Sequence, residues 1–233
     1  MKITYWSDYA CPYCYIGEAR LKKALADCPE LEDVDIEMKA FQLDPTAGEH
    51  AAGDTQTRFA KKYRISMDQA AETIEGISQM GREEGLDFKY ASTLFTNTMD
   101  AHRLTKLAAS KGNAKLTDRL IDRLFEAYFS ENKELADKAR LQSIGEECGL
   151  DASEVKEVLD SDKYRDEVLL DEREASLYGI HAVPFFVIDG YGLSGVHPVE
   201  GLKDVIRKAM ADAASAAPAE GMVCGPDGCK LGG

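Results

Sequence analysis

Cys11-Pro12-Tyr13-Cys14 sets two thiols three positions apart, between a strand-like run (Lys2–Ser7) and a helix-like stretch (Tyr15–Ala26). At the mouth of a helix, two thiols so spaced can close into a disulfide, and the first faces the positive end of the helix dipole, which favours its thiolate. The thiolate is the form that attacks disulfides. The chemistry this predicts is dithiol–disulfide exchange, with Cys11 as an exposed nucleophile and Cys14, one turn deeper, as the resolving thiol. Pro12 and Tyr13 then set the backbone path and the local polarity. The spacing by itself equally describes half of a zinc site. A second close pair, Cys224 and Cys229, offers another half. Zinc pairs sit on loops and knuckles rather than on a strand-to-helix turn, so no metal is expected.

The elements that would hold the pair are legible around it. Val34–Phe41 reads as a second strand and Phe185–Ile188 as a third, the latter led in by Gly179-Ile180-His181-Ala182-Val183-Pro184. Strand, helix, strand around a Cys pair resembles the thioredoxin-like pattern, and that resemblance implies a cis Val183–Pro184 peptide packed against the thiols. Read alone, Pro184 is an ordinary strand-start proline. From about Leu43 to Leu159 the periodicity is helical throughout, over 54–64, 67–84, 99–110, 116–130, 133–148 and 153–161. Met67, Ala70, Ala71, Ile74, Ile77 and Met80 form one apolar stripe that reads as packing. A helix over 164–178 leads back to the sheet. A turn over 190–192 precedes a fourth strand beginning at Leu193–Ser194, and a last helix runs over 198–214. The expected architecture is α/β: a thioredoxin-like fold over 1–43 and 163–214, an inserted all-helical domain over 44–162, and a flexible tail over 215–233 with the second Cys pair.

The formal net charge is -14, from 42 acidic and 28 basic residues in 233. That balance argues against nucleic acid and anionic membranes as partners, and no Lys/Arg cluster is expected to offset it locally. The first residues reach the Cys pair without a basic start and an apolar run, so no secretory leader is expected. No stretch approaches the roughly 20 apolar residues of a membrane helix. The expected location is the cytoplasm, where thiols are kept reduced and cysteines are catalytic or metal-binding more often than structural. Cys28 and Cys148 read as small, partly buried fillers. His50, His102, His181 and His197 show no metal-ligand spacing. His102 reads as a packing residue, and His181 lies three residues before Pro184.

Longer matches make the resemblance more specific. Ser7-Asp8-Tyr9-Ala10-Cys11-Pro12-Tyr13-Cys14-Tyr15-Ile16-Gly17, Phe41-Gln42-Leu43-Asp44-Pro45, Asn97-Thr98-Met99-Asp100-Ala101-His102-Arg103-Leu104 and Val183-Pro184-Phe185-Phe186-Val187 resemble the DsbA superfamily, and most closely its FrnE branch. The tail, Gly221 to Cys229, is similar to the second Cys pair of some FrnE proteins. The resemblance implies disulfide exchange without an organic cofactor, redox roles for Cys11 and Cys14, and the cis-proline role for Pro184. A sister branch of glutathione-dependent isomerases and transferases commonly has Ser at the first cysteine position. This chain keeps both sulfurs.

The expected function is therefore that of a cytoplasmic thiol–disulfide oxidoreductase, reducing or isomerising protein disulfides, most needed under oxidative stress. Glutathione or thioredoxin is the expected electron donor. The Gly225-Pro226-Asp227-Gly228 spacer can turn tightly enough to bring Cys224 and Cys229 together, so the tail is expected to exchange electrons with the active site or to act as a separate redox sensor. The rivals are a glutathione-dependent isomerase or transferase acting on a small molecule, and a holdase-type chaperone using the groove beside Pro184.

Overall fold

The computed structural model describes residues 1–28, 31, 34–216, 222–225 and 228–231, with side chains through residue 215. Strands β1 (Lys2–Ser7) and β2 (Asp35–Ala40) flank helix α1 (Pro12–Ala26). Helices α2 (Thr55–Tyr63), α3 (Met67–Glu83), α4 (Met99–Ser110), α5 (Ala114–Phe129), α6 (Lys138–Cys148) and α7 (Ala152–Asp160) follow without a strand. Helix α8 (Arg165–Leu177) returns the chain to β3 (Phe185–Ile188) and β4 (Tyr191–Ser194), and α9 (Val199–Ala216) closes the unit. The sheet order is β2-β1-β3-β4, with β1 and β2 parallel and the other neighbours antiparallel. This is the thioredoxin-like α/β fold with an inserted helical domain.

Boundaries move where a cap outranks periodicity. Helix α1 starts at Pro12 rather than Tyr15: Cys11 is the extended N-cap residue, and Pro12 takes the first-turn position where its missing N–H costs nothing. Helix α6 starts at Lys138 rather than 133, because the Asp137 carboxylate accepts hydrogen bonds from the amides of Ala139 and Arg140. The β3–β4 turn is Asp189-Gly190, both at positive φ, so β4 begins at Tyr191, ahead of the expected position. On α3, Met67 and Ala71 of the expected stripe are exposed, while Ala70, Ile74 and Ile77 are buried.

The insertion and the sheet share one core. Tyr15 of α1 stacks on Phe125 of α5 at 5.0 Å and on Phe88 at 5.9 Å, and Phe88 stacks on Phe129 at 4.7 Å. Helix α8 is pinned to both parts. The Asp171 carboxylate accepts from the Ala40 amide at 2.8 Å and pairs with Lys106 of α4, and its backbone carbonyl accepts from Trp6 Nε1 at 3.0 Å. Glu172 accepts from the Gln42 amide at 3.1 Å. Cys28 and Cys148 are fully buried, more so than expected of fillers. Where the sequence predicts a flexible tail, the backbone of β5 (Met222–Gly225) and β6 (Gly228–Leu231) pairs as an antiparallel hairpin with Cys224 opposite Cys229. The sulfurs of that pair lie outside the described residues.

Candidate active site

The β1–α1 connection carries the Cys pair. It is drawn tight by the Cys11 amide, which donates to the Asp8 carbonyl at 3.0 Å. Cys11 then caps α1 with no side-chain cap bond of its own, so its sulfur is left at the open amide end of the helix. Across from it, Val183–Pro184 is a cis peptide, and the Cys11 Sγ–H points to the Val183 carbonyl at 3.5 Å. Both thiols are free. Cys14 lies inside the first turn at 1 % exposure, where burial pushes its thiol well up and its hydrogen bond to Cys11 acts in the same direction. Gly17, one turn further, lets the proline approach: a Cβ there would stand 3.1 Å from Pro184 Cγ and 3.2 Å from Phe186 Cζ.

Cys11 is not the exposed residue expected. Its exposure is 4 %, because the loop carrying Val183 covers it; it is reached instead through a cavity of about 1020 Å³. Tyr13, 39 % exposed, stands at that cavity, as does the exposed His181. The structure thus brings Cys11, Pro12, Tyr13 and Val183 together at one opening, with Cys14 and Pro184 behind them. His102 is elsewhere: 1 % exposed and beside Asp8, its Nε2 3.5 Å from the Asp8 carboxylate.

Two parts of the site escaped the sequence reading. Asp8 is buried below the Cys pair. Its carboxylate accepts from the Ala10 amide at 3.3 Å and from the Leu43 amide at 2.8 Å, fastening the reactive turn to the crossover into the insertion. Only its place within one of the motifs that carry the resemblance pointed to it. The second part is α2, which lines the opposite wall of the cavity with Arg58, Lys61 and Lys62 and carries no acidic residue. The expectation of no local basic cluster is therefore wrong. The signal was present in Arg58, Lys61, Lys62 and Arg64, three of which fall at helical spacing, and the chain-wide charge total hid it.

A second cavity, of about 680 Å³, lies between α1, β2, α4 and α5. Glu18, Asp118 and Asp122 converge there, and the Lys22 ammonium stands among them at 3.2, 2.8 and 2.5 Å. Burial raises Glu18 to about 7 despite that lysine. These carboxylates hold an internal cation.

A Cys-x-x-Cys turn at a helix N-terminus, facing a cis-proline across a mixed sheet, defines a thioredoxin-fold dithiol protein. The chain belongs to the DSBA-like thioredoxin domain family, whose model matches residues 2–207, and so stands among the disulfide oxidoreductases and isomerases. It is similar to the solved structure of a probable DsbA oxidoreductase, SCO1869, from Streptomyces coelicolor, at 35 % identity and a TM-score of 0.86, with 100 % of each chain covered. A 2-hydroxychromene-2-carboxylate isomerase shares the fold at 12 % identity and a TM-score of 0.69, over 93 % of this chain and 100 % of that one. The cytosolic disulfide reductase DsbM from Pseudomonas aeruginosa shares it at 16 % and 0.60, again over 93 % and 100 %.

Proposed function

We propose that this chain reduces or isomerises protein disulfides in the cytoplasm, with Cys11 as nucleophile and Cys14 as resolving thiol. The observation that carries this reading is the placement of the two thiols. Cys11 sits at the uncapped amide end of α1, 3.5 Å from the Val183 carbonyl, with Cys14 buried behind it. The Cys11 thiolate attacks one sulfur of the substrate, forming a mixed disulfide and releasing the other sulfur as a thiolate. Cys14 then loses its proton and attacks Cys11, releasing the second substrate thiol and leaving a Cys11–Cys14 disulfide. Burial of Cys14 delays that deprotonation, which lengthens the life of the mixed disulfide and gives an isomerase time to reshuffle its substrate.

Two electrons from a dithiol, or from two glutathione molecules, restore the pair. Glutathione as donor is supported by DsbM, whose structure has also been solved with glutathione. Retention of both sulfurs favours disulfide chemistry over the glutathione-dependent isomerisation of the other fold neighbour. Pro12 and Tyr13 shape the turn, and Val183 and Pro184 present the backbone edge against which a substrate strand lies. The partition into 1–43, 44–162, 163–214 and 215–233, and a redox role for Cys224 and Cys229, belong to the same proposal.

Insulin reduction by the wild type, Cys11→Ser and Cys14→Ser tests it. Reduction by the wild type, loss in Cys11→Ser and accumulation of mixed disulfides in Cys14→Ser are expected. Equal turnover by wild type and Cys11→Ser removes the reading.

A further inference from the structure

Among the described residues, Arg58 is a charge to which disulfide exchange by itself gives no role. Its guanidinium lies 3.4 Å from the centre of the Phe95 ring, and it is half-buried in the wall of the cavity that opens on Cys11. Stacking on the ring occupies the guanidinium's flat face and leaves its N–H edges free for an acceptor. Among the described residues no carboxylate, carbonyl or hydroxyl accepts from them; the Asp44 carboxylate lines the same cavity and its charge is felt at Arg58, but its Oδ1 accepts from Thr46 instead. Lys61 and Lys62 on the same wall also have no ion-pair partner among the described residues, and neither does Arg64, the C-cap residue of α2. Elsewhere, Lys22, Arg103, Lys111, Arg123 and Lys203 each hold one or more carboxylates.

Partial burial of an unpaired guanidinium is unfavourable unless an anion completes it. Burial does push Arg58 down from its ordinary value. A chain of net charge -14 would on the whole repel anions. That charge is spread over the surface, however, and screened beyond about 8–10 Å, so a bound anion feels mainly the cations it touches. Tyr90 lines the same cavity as Arg58 and Cys11. One ligand entering that cavity can therefore present an anion to Arg58 and a sulfur to Cys11.

Resting on the disulfide-exchange reading and deepening it, we infer that Arg58, backed by Lys61 and Lys62, is a carboxylate subsite that selects thiol and disulfide ligands bearing an acidic group close to the sulfur. Two sources supply that chemistry: an acidic side chain flanking a cysteine in a protein, and the carboxylates of a small thiol such as glutathione. Bidentate pairing of a guanidinium with a carboxylate supplies the geometry, and Phe95 holds the guanidinium in place before the ligand arrives.

Calorimetric titration with ligands that cannot exchange separates this proposal from the one it rests on. Peptides carrying S-methylcysteine, with Asp, Asn or Lys two residues away, are compared with S-methylglutathione and its ester, in which the carboxylates are blocked. The wild type is expected to bind at least one carboxylate form about tenfold or more tightly than its neutral counterpart. The ratio should fall to near one in Arg58→Gln and persist in Arg165→Gln, which removes the same charge from an exposed position on α8. A preference in the peptide series assigns the subsite to acidic protein substrates, and one confined to glutathione assigns it to a small thiol; either supports the inference. Equal binding of charged and neutral forms in both series, or a preference that survives Arg58→Gln, overturns it. Neither result depends on turnover, so a failed insulin assay sinks only the exchange reading.

Discussion

Lys22 and Arg58 line different cavities and meet opposite fates. Around Lys22, one ammonium is ringed by Glu18, Asp118 and Asp122 on two helices. Around Arg58, the guanidinium rests on the Phe95 ring and, among the described residues, is hydrogen-bonded to no carboxylate. The first arrangement ties α1 of the sheet unit to α5 of the insertion through a cation that the chain itself supplies. The second needs something from outside. Charge satisfied by the chain's own groups holds the fold together, whereas charge left open beside a reactive sulfur is available for recognition. The cavity at Arg58 is the larger, about 1020 Å³ against 680 Å³, but volume does not say which of the two recognises a ligand.

That contrast can be broken experimentally, and the largest effect belongs to the Cys11 side. Cys11→Ser should lower disulfide exchange by about 10³-fold or more while leaving the thermal midpoint within a few degrees; a large loss of stability would show that the front cavity is structural after all. Next comes Glu18, whose effect is on stability. Its carboxyl is raised from 4.5 to about 7, so the folded chain binds more protons than the unfolded one between those values. Stability contributed at this site is therefore highest below pH 4.5, falls as pH rises, and is fully lost above about 7. In Glu18→Gln that slope should vanish. Between the two ends of the window the variant should gain about 3 kcal/mol relative to wild type, from the 2.5-unit difference at 1.36 kcal/mol each. Parallel denaturation curves at pH 4.5 and 7.5 would show the carboxyl to be no different from one in water.

Gly17→Ala acts on the Cys11 side and should change both stability and exchange. Its methyl would press on Pro184 and Phe186, costing about 1–3 kcal/mol by overpacking and slowing exchange in proportion to the displacement of the Val183 carbonyl. Urea denaturation and insulin reduction on the same samples check it. The smallest stability effect is expected at Arg58 itself. Arg58→Gln should move the unfolding free energy by no more than about 1 kcal/mol, the worth of its stacking on Phe95, since no carboxylate among the described residues loses a partner. A loss of several kcal/mol would reveal a structural contact and place Arg58 with Lys22.

How much of this could be read from the sequence follows from the range of the interactions concerned. The Val183–Pro184 step was legible only through the thioredoxin-like resemblance, whereas Cys11 and Cys14 were legible because the signal is local, a spacing of three with a strand before it. The strand and helix order was legible for the same reason, and the errors lie at ends, where Asp137 or Asp189-Gly190 decides the boundary through one side chain or one turn. The burial of Cys11 was not legible, since the loop that covers it is more than 160 residues away in the chain. Nor was the anchoring by Asp171, which reaches strand β2 and helix α4 from a helix otherwise rich in exposed charge. The basic wall of α2 is a different failure. Its residues are adjacent and easily seen, but a total over the whole chain averages away a cluster that matters only because the fold turns it toward a thiol.

Strand β2 lies at one margin of the sheet, where backbone amides normally stand ready to pair with a strand from another molecule. At its end nearest the reactive turn, the amides of Ala40 and Gln42 are already taken by the carboxylates of Asp171 and Glu172. A helix thus stoppers the ladder on that margin. Intermolecular pairing is blocked at that end of β2, and the opposite margin of the same sheet, β4, is four residues long and interrupted by Gly192.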